Sequence, residues 1–203
     1  MGELFVVGIG MVLTNDDVLA AYEESAKALI LGFQRHPYGY LYESDIQAAL
    51  FSLVRNRLPQ PIVVKGSGNP QDSYEISVVN TEYWKRIDLV CLDVEKAPHH
   101  TPRVHMGMDV HIYDLPILVG CEIKYRKLGD KFGIEACFAD VDKLERLNLI
   151  YPKILGFIQN EDDVDSFFVA CSAEWEQVEI DINQPLETIN IVSPSKIWVV
   201  RRA

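Results

Sequence analysis

Val119-Gly120-Cys121-Glu122-Ile123-Lys124-Tyr125 is the stretch on which the fold turns. It closes an apolar run, and its length and composition predict a strand over Leu115 to Tyr125. Side chains alternate along a strand, so Glu122 and Lys124 share one face while Cys121, Ile123 and Tyr125 take the other. A carboxylate and an ammonium therefore interrupt a row otherwise suited to burial. A buried charge must be paired, ligated or hydrated.

Upstream, Lys85-Arg86-Ile87-Asp88-Leu89-Val90-Cys91-Leu92 has the same character. In a strand over Lys85 to Val94, Asp88 projects from the row that also carries Val90 and Leu92. Tyr74 to Asn80 reads as its strand partner. If the strands holding Asp88 and Glu122 are neighbours, one carboxylate from each converges with Lys124 beside them. Oxygen ligands of this kind suit hard cations such as Mg²⁺ or Mn²⁺.

Further out, Val18, Leu19, Tyr22, Ala26, Leu29, Ile30 and Phe33 recur at helical spacing. Thr14 and Asp17 form a capping-box pattern, predicting a helix from about Asp16 to Phe33. A second helix is expected from Glu43 or Ser44 to Arg57, stopped by Pro59 and Pro61. Ile62 to Lys65 reads as a short strand and 66–72 as a loop. Lys96 to Pro102 reads as a loop, and the chain on to Tyr113 as a further strand or an excursion. Asp140 to Leu149 is expected to be helical, with Asp140, Asp142 and Lys143 at its start and Asp140 as its cap. Val164 to Ser172 reads as a central strand and Lys196 to Val200 as a final one. Glu174 to Pro194 is left as an edge hairpin or a docking arm. The mixture is α/β, with a mixed central sheet flanked by helices.

An Asp on one strand followed by Glu-x-Lys on the next apolar strand resembles the PD-(D/E)xK, restriction-endonuclease-like nuclease superfamily. That family's core is helix, three-stranded meander, helix, strand, and the order from Glu43 to Ser172 is similar. The resemblance implies a Mg²⁺- or Mn²⁺-dependent phosphodiesterase acting on nucleic acid. It implies Asp88, Glu122 and the Ile123 carbonyl as metal ligands, joined by Glu43 from the first core helix, with Lys124 as the catalytic lysine. Ile87 stands where the motif has Pro. The interval from Asp88 to Glu122 is long, and an insertion between Lys96 and Leu115 would account for it.

Charge speaks on the other side. There are 19 Lys and Arg against 30 Asp and Glu, a net charge of −11, whereas nucleic-acid binders usually carry a basic footprint. Lys124, Arg126, Lys127 and Lys131 make a local basic run, while the chain after Gln159 is acidic. Two other readings therefore stand beside the nuclease. One is a catalytically inactive protein of the same fold that binds or regulates a protein partner through its acidic surface. The other is a stable α/β domain in a homo-oligomer, with the acidic C-terminal part at the interface or facing solvent; the plainest reading of Asp88 and Glu122 themselves is pairing with Arg86, Lys124 or other cations at a sheet surface.

The rest of the sequence bounds the class. Length and composition predict one globular domain over 1–203, comprising an N-terminal strand and helix (1–42), the core (43–172) and an acidic extension ending in a strand (173–203). No apolar run spans a bilayer. Met1 to Leu13 lacks a basic start and is read as a strand, with Gly8 and Gly10 as turn or packing residues. Cys91, Cys121, Cys137 and Cys171 form no CxxC pair and predict reduced thiols in the cytoplasm. His99, His100, His105 and His111 lack zinc-site spacing and read as loop residues. Tyr83 and Trp84 beside Lys85 and Arg86 read as a strand-end cluster rather than a base-stacking platform.

Overall fold

The computed structural model describes residues 12–65, 73–83, 86–100, 104–105, 108–109, 115–147 and 149–203. The expected N-terminal strand with Gly8 and Gly10, the 66–72 loop, Trp84, Lys85 and His111 lie outside the described residues.

Helix α1 (Asn15–Arg35) begins at the expected capping box, in which Thr14 and Asp17 bond each other reciprocally. Its buried stripe of Val18, Tyr22, Ala26, Leu29, Ile30 and Phe33 is the predicted apolar face. Helix α2 (Glu43–Arg57) starts where Asp45 accepts the backbone N–H groups of Leu41 and Tyr42, leaving Glu43 at the helix head.

Strands β1 (Pro61–Lys65) and β2 (Ser73–Ser77) form a separate antiparallel pair. The strand expected over Tyr74 to Asn80 is in fact two. The Ser77 hydroxyl bonds both the carbonyl and the N–H of Val79 and is itself held by Arg55, so the chain bends at Val78. Only β3 (Val79–Tyr83) joins the main sheet, against β4 (Ile87–Leu92). A short hairpin of β5 (Val104–His105) and β6 (Met108–Asp109) falls within the expected insertion, followed by β7 (Ile117–Arg126).

Helix α3 spans Glu135–Arg146 and β8 spans Tyr151–Ile158. Both correct the sequence reading. Asp140 is a mid-helix residue, not a cap, and the central strand after the helix is β8 rather than Val164 to Ser172. The latter segment holds the single-turn helix α4 (Val164–Phe167), whose Phe167, with the following Phe168, packs against Phe132 and Trp198. The chain ends with β9 (Trp175–Glu179), β10 (Ile189–Val192) and β11 (Ile197–Arg202).

The main sheet has seven strands in the order β3-β4-β7-β8-β10-β11-β9. Strands β3, β4 and β7 are successive antiparallel neighbours, α3 crosses from β7 to the parallel β8, and β10 is parallel to β8. The acidic C-terminal segment thus completes the sheet. Helices cover both faces. Phe33 of α1 meets Tyr125 and Phe157 at ring distances of 6.3 and 5.0 Å. On the other face α3 lies so close that a Cβ at Gly156 would stand 3.6 Å from Cys137 Sγ. The core is α/β with a mixed central sheet. All four cysteines are free, and no helix among the described residues is long and apolar enough to cross a membrane.

Candidate metal centre

The site begins where a ladder of hydrogen bonds stops. The register between β4 and β7 runs from Cys91↔Val119 through Val90↔Gly120 to Leu89↔Cys121 and ends there. Within a strand, alternate residues direct their N–H and C=O groups to the same neighbour. Ile123 and Tyr125 therefore continue to aim backbone groups at the β4 side, where no strand among the described residues receives them. Side chains do instead. The Ile123 N–H donates to Asp88 Oδ2 at 2.7 Å, and the Tyr125 N–H donates to Glu43 Oε2 at 3.1 Å. An unpaired buried N–H is costly, so these two carboxylates finish the edge of β7.

Continuing the register by one residue sets Asp88 opposite Glu122, where cross-strand Cβ atoms lie about 5 Å apart. Their carboxyls are within hydrogen-bonding reach of each other. Both point to the α3 face, which Gly120 shares: a Cβ there would run into the Leu149 side chain and approach Leu144. Gln47 of α2 donates to the Asp88 carbonyl at 2.7 Å and to Glu82 at 3.2 Å, tying α2 to the same corner.

Two residues of α3 complete the cluster. Lys143 Nζ lies 2.5 Å from Glu122 Oε1 and 3.0 Å from the Arg86 carbonyl. Lys124 Nζ lies 2.7 Å from Asp140 Oδ2. The strand thus offers an acid and a base two residues apart, and the helix answers with a base and an acid three apart, near one turn's spacing.

The electrostatics follow from crowding carboxylates at a half-buried strand edge. Glu122 is only 3 % exposed, and burial, with the Asp88 charge adding to it, pushes its pKa up to about 7 despite the Lys143 bond. Burial also raises Asp88, against the Ile123 N–H and the Lys124 charge that favour its ionised form. Glu43 is raised by burial as well. For Lys124, burial alone would depress the ammonium, but Asp140, Glu43 and Asp88 outweigh it and the pKa is raised. Lys124 is therefore a firm cation at neutral pH.

The structure brings Asp88, Glu122 and Lys124 together as the sequence reading expects. Glu43 comes to the same edge, but its carboxylate is turned to Tyr125, and among the described residues no group of three His, Cys, Asp or Glu side chains is gathered for a metal. Two carboxylates and a backbone carbonyl are nonetheless enough for Mg²⁺, which keeps several waters and uses one or two carboxylates. The donor set is hard oxygen, with the Asp88 and Glu122 carboxyls side by side. The residues fit a small divalent cation.

The basic run is weaker than it reads. Arg126 is buried, donating to Ser166 Oγ at 2.7 Å and lying 3.9 Å from Asp163, and Lys127 covers the Tyr42 ring. Asp140 and Lys143, expected only as residues at a helix start, lie within α3 and reach the cluster from there. Their three-residue spacing on an amphipathic helix directly after the Glu-x-Lys strand is the signal that would have found them.

No family model, curated protein or solved structure matches this chain.

Proposed function

We propose that this chain is a Mg²⁺- or Mn²⁺-dependent phosphodiesterase of the PD-(D/E)xK type, acting on nucleic acid. The observation that carries the reading is the open edge of β7. Asp88 and Glu122 flank it from opposite strands, and the Ile123 carbonyl faces the same side as the N–H that Asp88 holds. Support also comes from the element order: helix α2, the meander β3-β4-β7, helix α3 and the parallel strand β8 correspond to the core that the sequence resembles.

In this reading Asp88, Glu122 and the Ile123 carbonyl hold the cation, and Glu43 fixes the strand behind them. A bound divalent ion would supply Lewis-acid polarisation and a water of lowered pKa. Hydrolysis forms a P–O bond to water and breaks the ester P–O bond, the water giving a proton up to solvent and the leaving oxygen taking one from solvent, while negative charge builds on the phosphoryl oxygens. Lys124 stabilises that charge and orients the water as a donor. Its raised pKa makes it a poor proton acceptor at neutral pH.

The test is calorimetric titration with Mn²⁺ of wild type and of the Asp88→Asn, Glu122→Gln double variant, followed by assays on single- and double-stranded nucleic acid. The proposal expects binding and hydrolysis in wild type and neither in the variant. A folded wild type that takes up no Mn²⁺, with or without substrate, sinks it.

A second reading has observations of its own. The net charge of −11, the engagement of Lys124 and Lys143 by carboxylates, and the burial of Arg126 favour a non-catalytic member of the fold that meets a basic protein partner. Mn²⁺ binding without hydrolysis of any nucleic acid would select that reading.

A further inference from the structure

In the site proposed above, each ligand carboxylate is anchored through one oxygen, and the two carboxyls lie within hydrogen-bonding reach of each other. Asp88 Oδ2 accepts from the Ile123 N–H, and Glu122 Oε1 accepts from Lys143. The Lys143 ammonium is not a loose surface charge, because it also donates to the Arg86 carbonyl. Arg86 is a non-glycine residue with φ of 58°, the left-handed region that bulky side chains rarely adopt. That carbonyl is thus presented to Lys143 by a constrained turn two residues before Asp88. Lys143 therefore joins three elements: α3, the entry to β4, and Glu122 on β7.

Charge balance points the same way. Glu43, Asp88, Glu122 and Asp140, with Glu82 acting on Asp88, face Lys124 and Lys143, so the fully ionised cluster carries excess negative charge that a divalent cation would offset and that loss of either lysine would deepen. Ligating carboxylates that are themselves hydrogen-bonded are the rule in metal sites.

We propose that Lys143 and Asp140 of α3 are positioning residues of this centre. Lys143 holds Oε1 of Glu122 and so fixes how that carboxylate is turned toward the cation, and Asp140 aims the Lys124 ammonium. The inference rests on the metal-site reading and adds to it the helix that orients the site.

The decisive experiment is Mn²⁺ affinity by calorimetry for wild type, Lys143→Met, Lys143→Arg and Asp140→Asn, each checked for native circular dichroism and cooperative melting. Loss of an orienting partner typically weakens metal binding by about 10–100-fold. Lys143→Met is expected in that range, with partial recovery in Lys143→Arg, which keeps the donor. Asp140→Asn is expected to bind Mn²⁺ within about threefold of wild type while losing hydrolysis, since it acts on Lys124 and not on a ligand. Should Lys143→Met bind as wild type does, or more tightly because a competing cation has gone, the role given to Lys143 is wrong and the metal site stands. Mn²⁺ weakened equally in Asp140→Asn overturns the division of roles. A wild type that binds no Mn²⁺ overturns the inference together with the reading beneath it.

Discussion

Glu122 makes a specific demand on how stability varies with pH. Its carboxyl ionises near 4.5 in an unfolded chain and near 7 in the folded one, because burial and the Asp88 charge oppose the anion. The folded chain therefore keeps a proton that the unfolded chain releases. Stability from this group is fully present below about pH 4.5 and is lost as pH rises through about 7. At about 1.4 kcal/mol per pH unit over that window, the native state loses roughly 3 kcal/mol by pH 8. Asp88 and Glu43, also raised, add in the same direction, whereas Asp17 and Asp93, whose pKa values are lowered, have completed their opposite contribution below pH 5. Glu122→Gln keeps the size of the side chain and an oxygen for Lys143 but removes the charge. Urea unfolding with a chelator present, at half-unit steps from pH 5 to 8, should give curves that meet near pH 5. By pH 8 the variant should be about 2–3 kcal/mol more stable. Parallel curves, or a wild type that is the more stable at pH 8, would refute the reasoning, since the buried anion would then not be the strained state.

Three other substitutions probe the frame. Asp93, wholly buried, accepts from Asn15 Nδ2 and from the N–H groups of Glu95 and Lys96, so Asp93→Ala should cost about 1–3 kcal/mol in urea unfolding by stranding those donors. Buried Arg126 donates to Ser166 Oγ and neighbours the Asp163 carboxylate, so Arg126→Met, which strands both, should lower the unfolding free energy by about 1–3 kcal/mol. A Cβ at Gly156 would meet Ile191 Cδ1 at 2.6 Å, and Gly156→Ala should lower stability by about 1–3 kcal/mol, visible as a fall in Tm.

What could be read from the sequence was what local chemistry announces. The Thr14–Asp17 box, the prolines after Arg57 and the polarity break at Glu122 and Lys124 each mark an element with its own residues. The alternation rule alone placed Asp88, Glu122 and Lys124 on faces that do meet. The failures lie where long-range burial overrides local pattern. Strand β8 carries Pro152, Lys153 and Gly156, which disguise an interior strand; yet Lys153 is buried, its ammonium satisfied by the carbonyls of Leu186 and Glu187 far along the chain. Val164 to Ser172 has the apolar content of a strand because its phenylalanines pack against Phe132 and Trp198. The pairing of Lys143 with Glu122 and of Asp140 with Lys124 depends on how α3 crosses the sheet, which no window of sequence contains.

The unzipped end of β7 bears on how such a protein would age. Asp88 and Glu43 close backbone donors, so a lineage that abandoned chemistry would still keep them to hold its architecture together. Glu122 has no such second employment, since its anchor is another side chain and its burial is a burden. Were the proposed chemistry to be lost, Glu122 should therefore change first, with Lys143 drifting after it, while the acids at the strand's margin are kept for the backbone they hold.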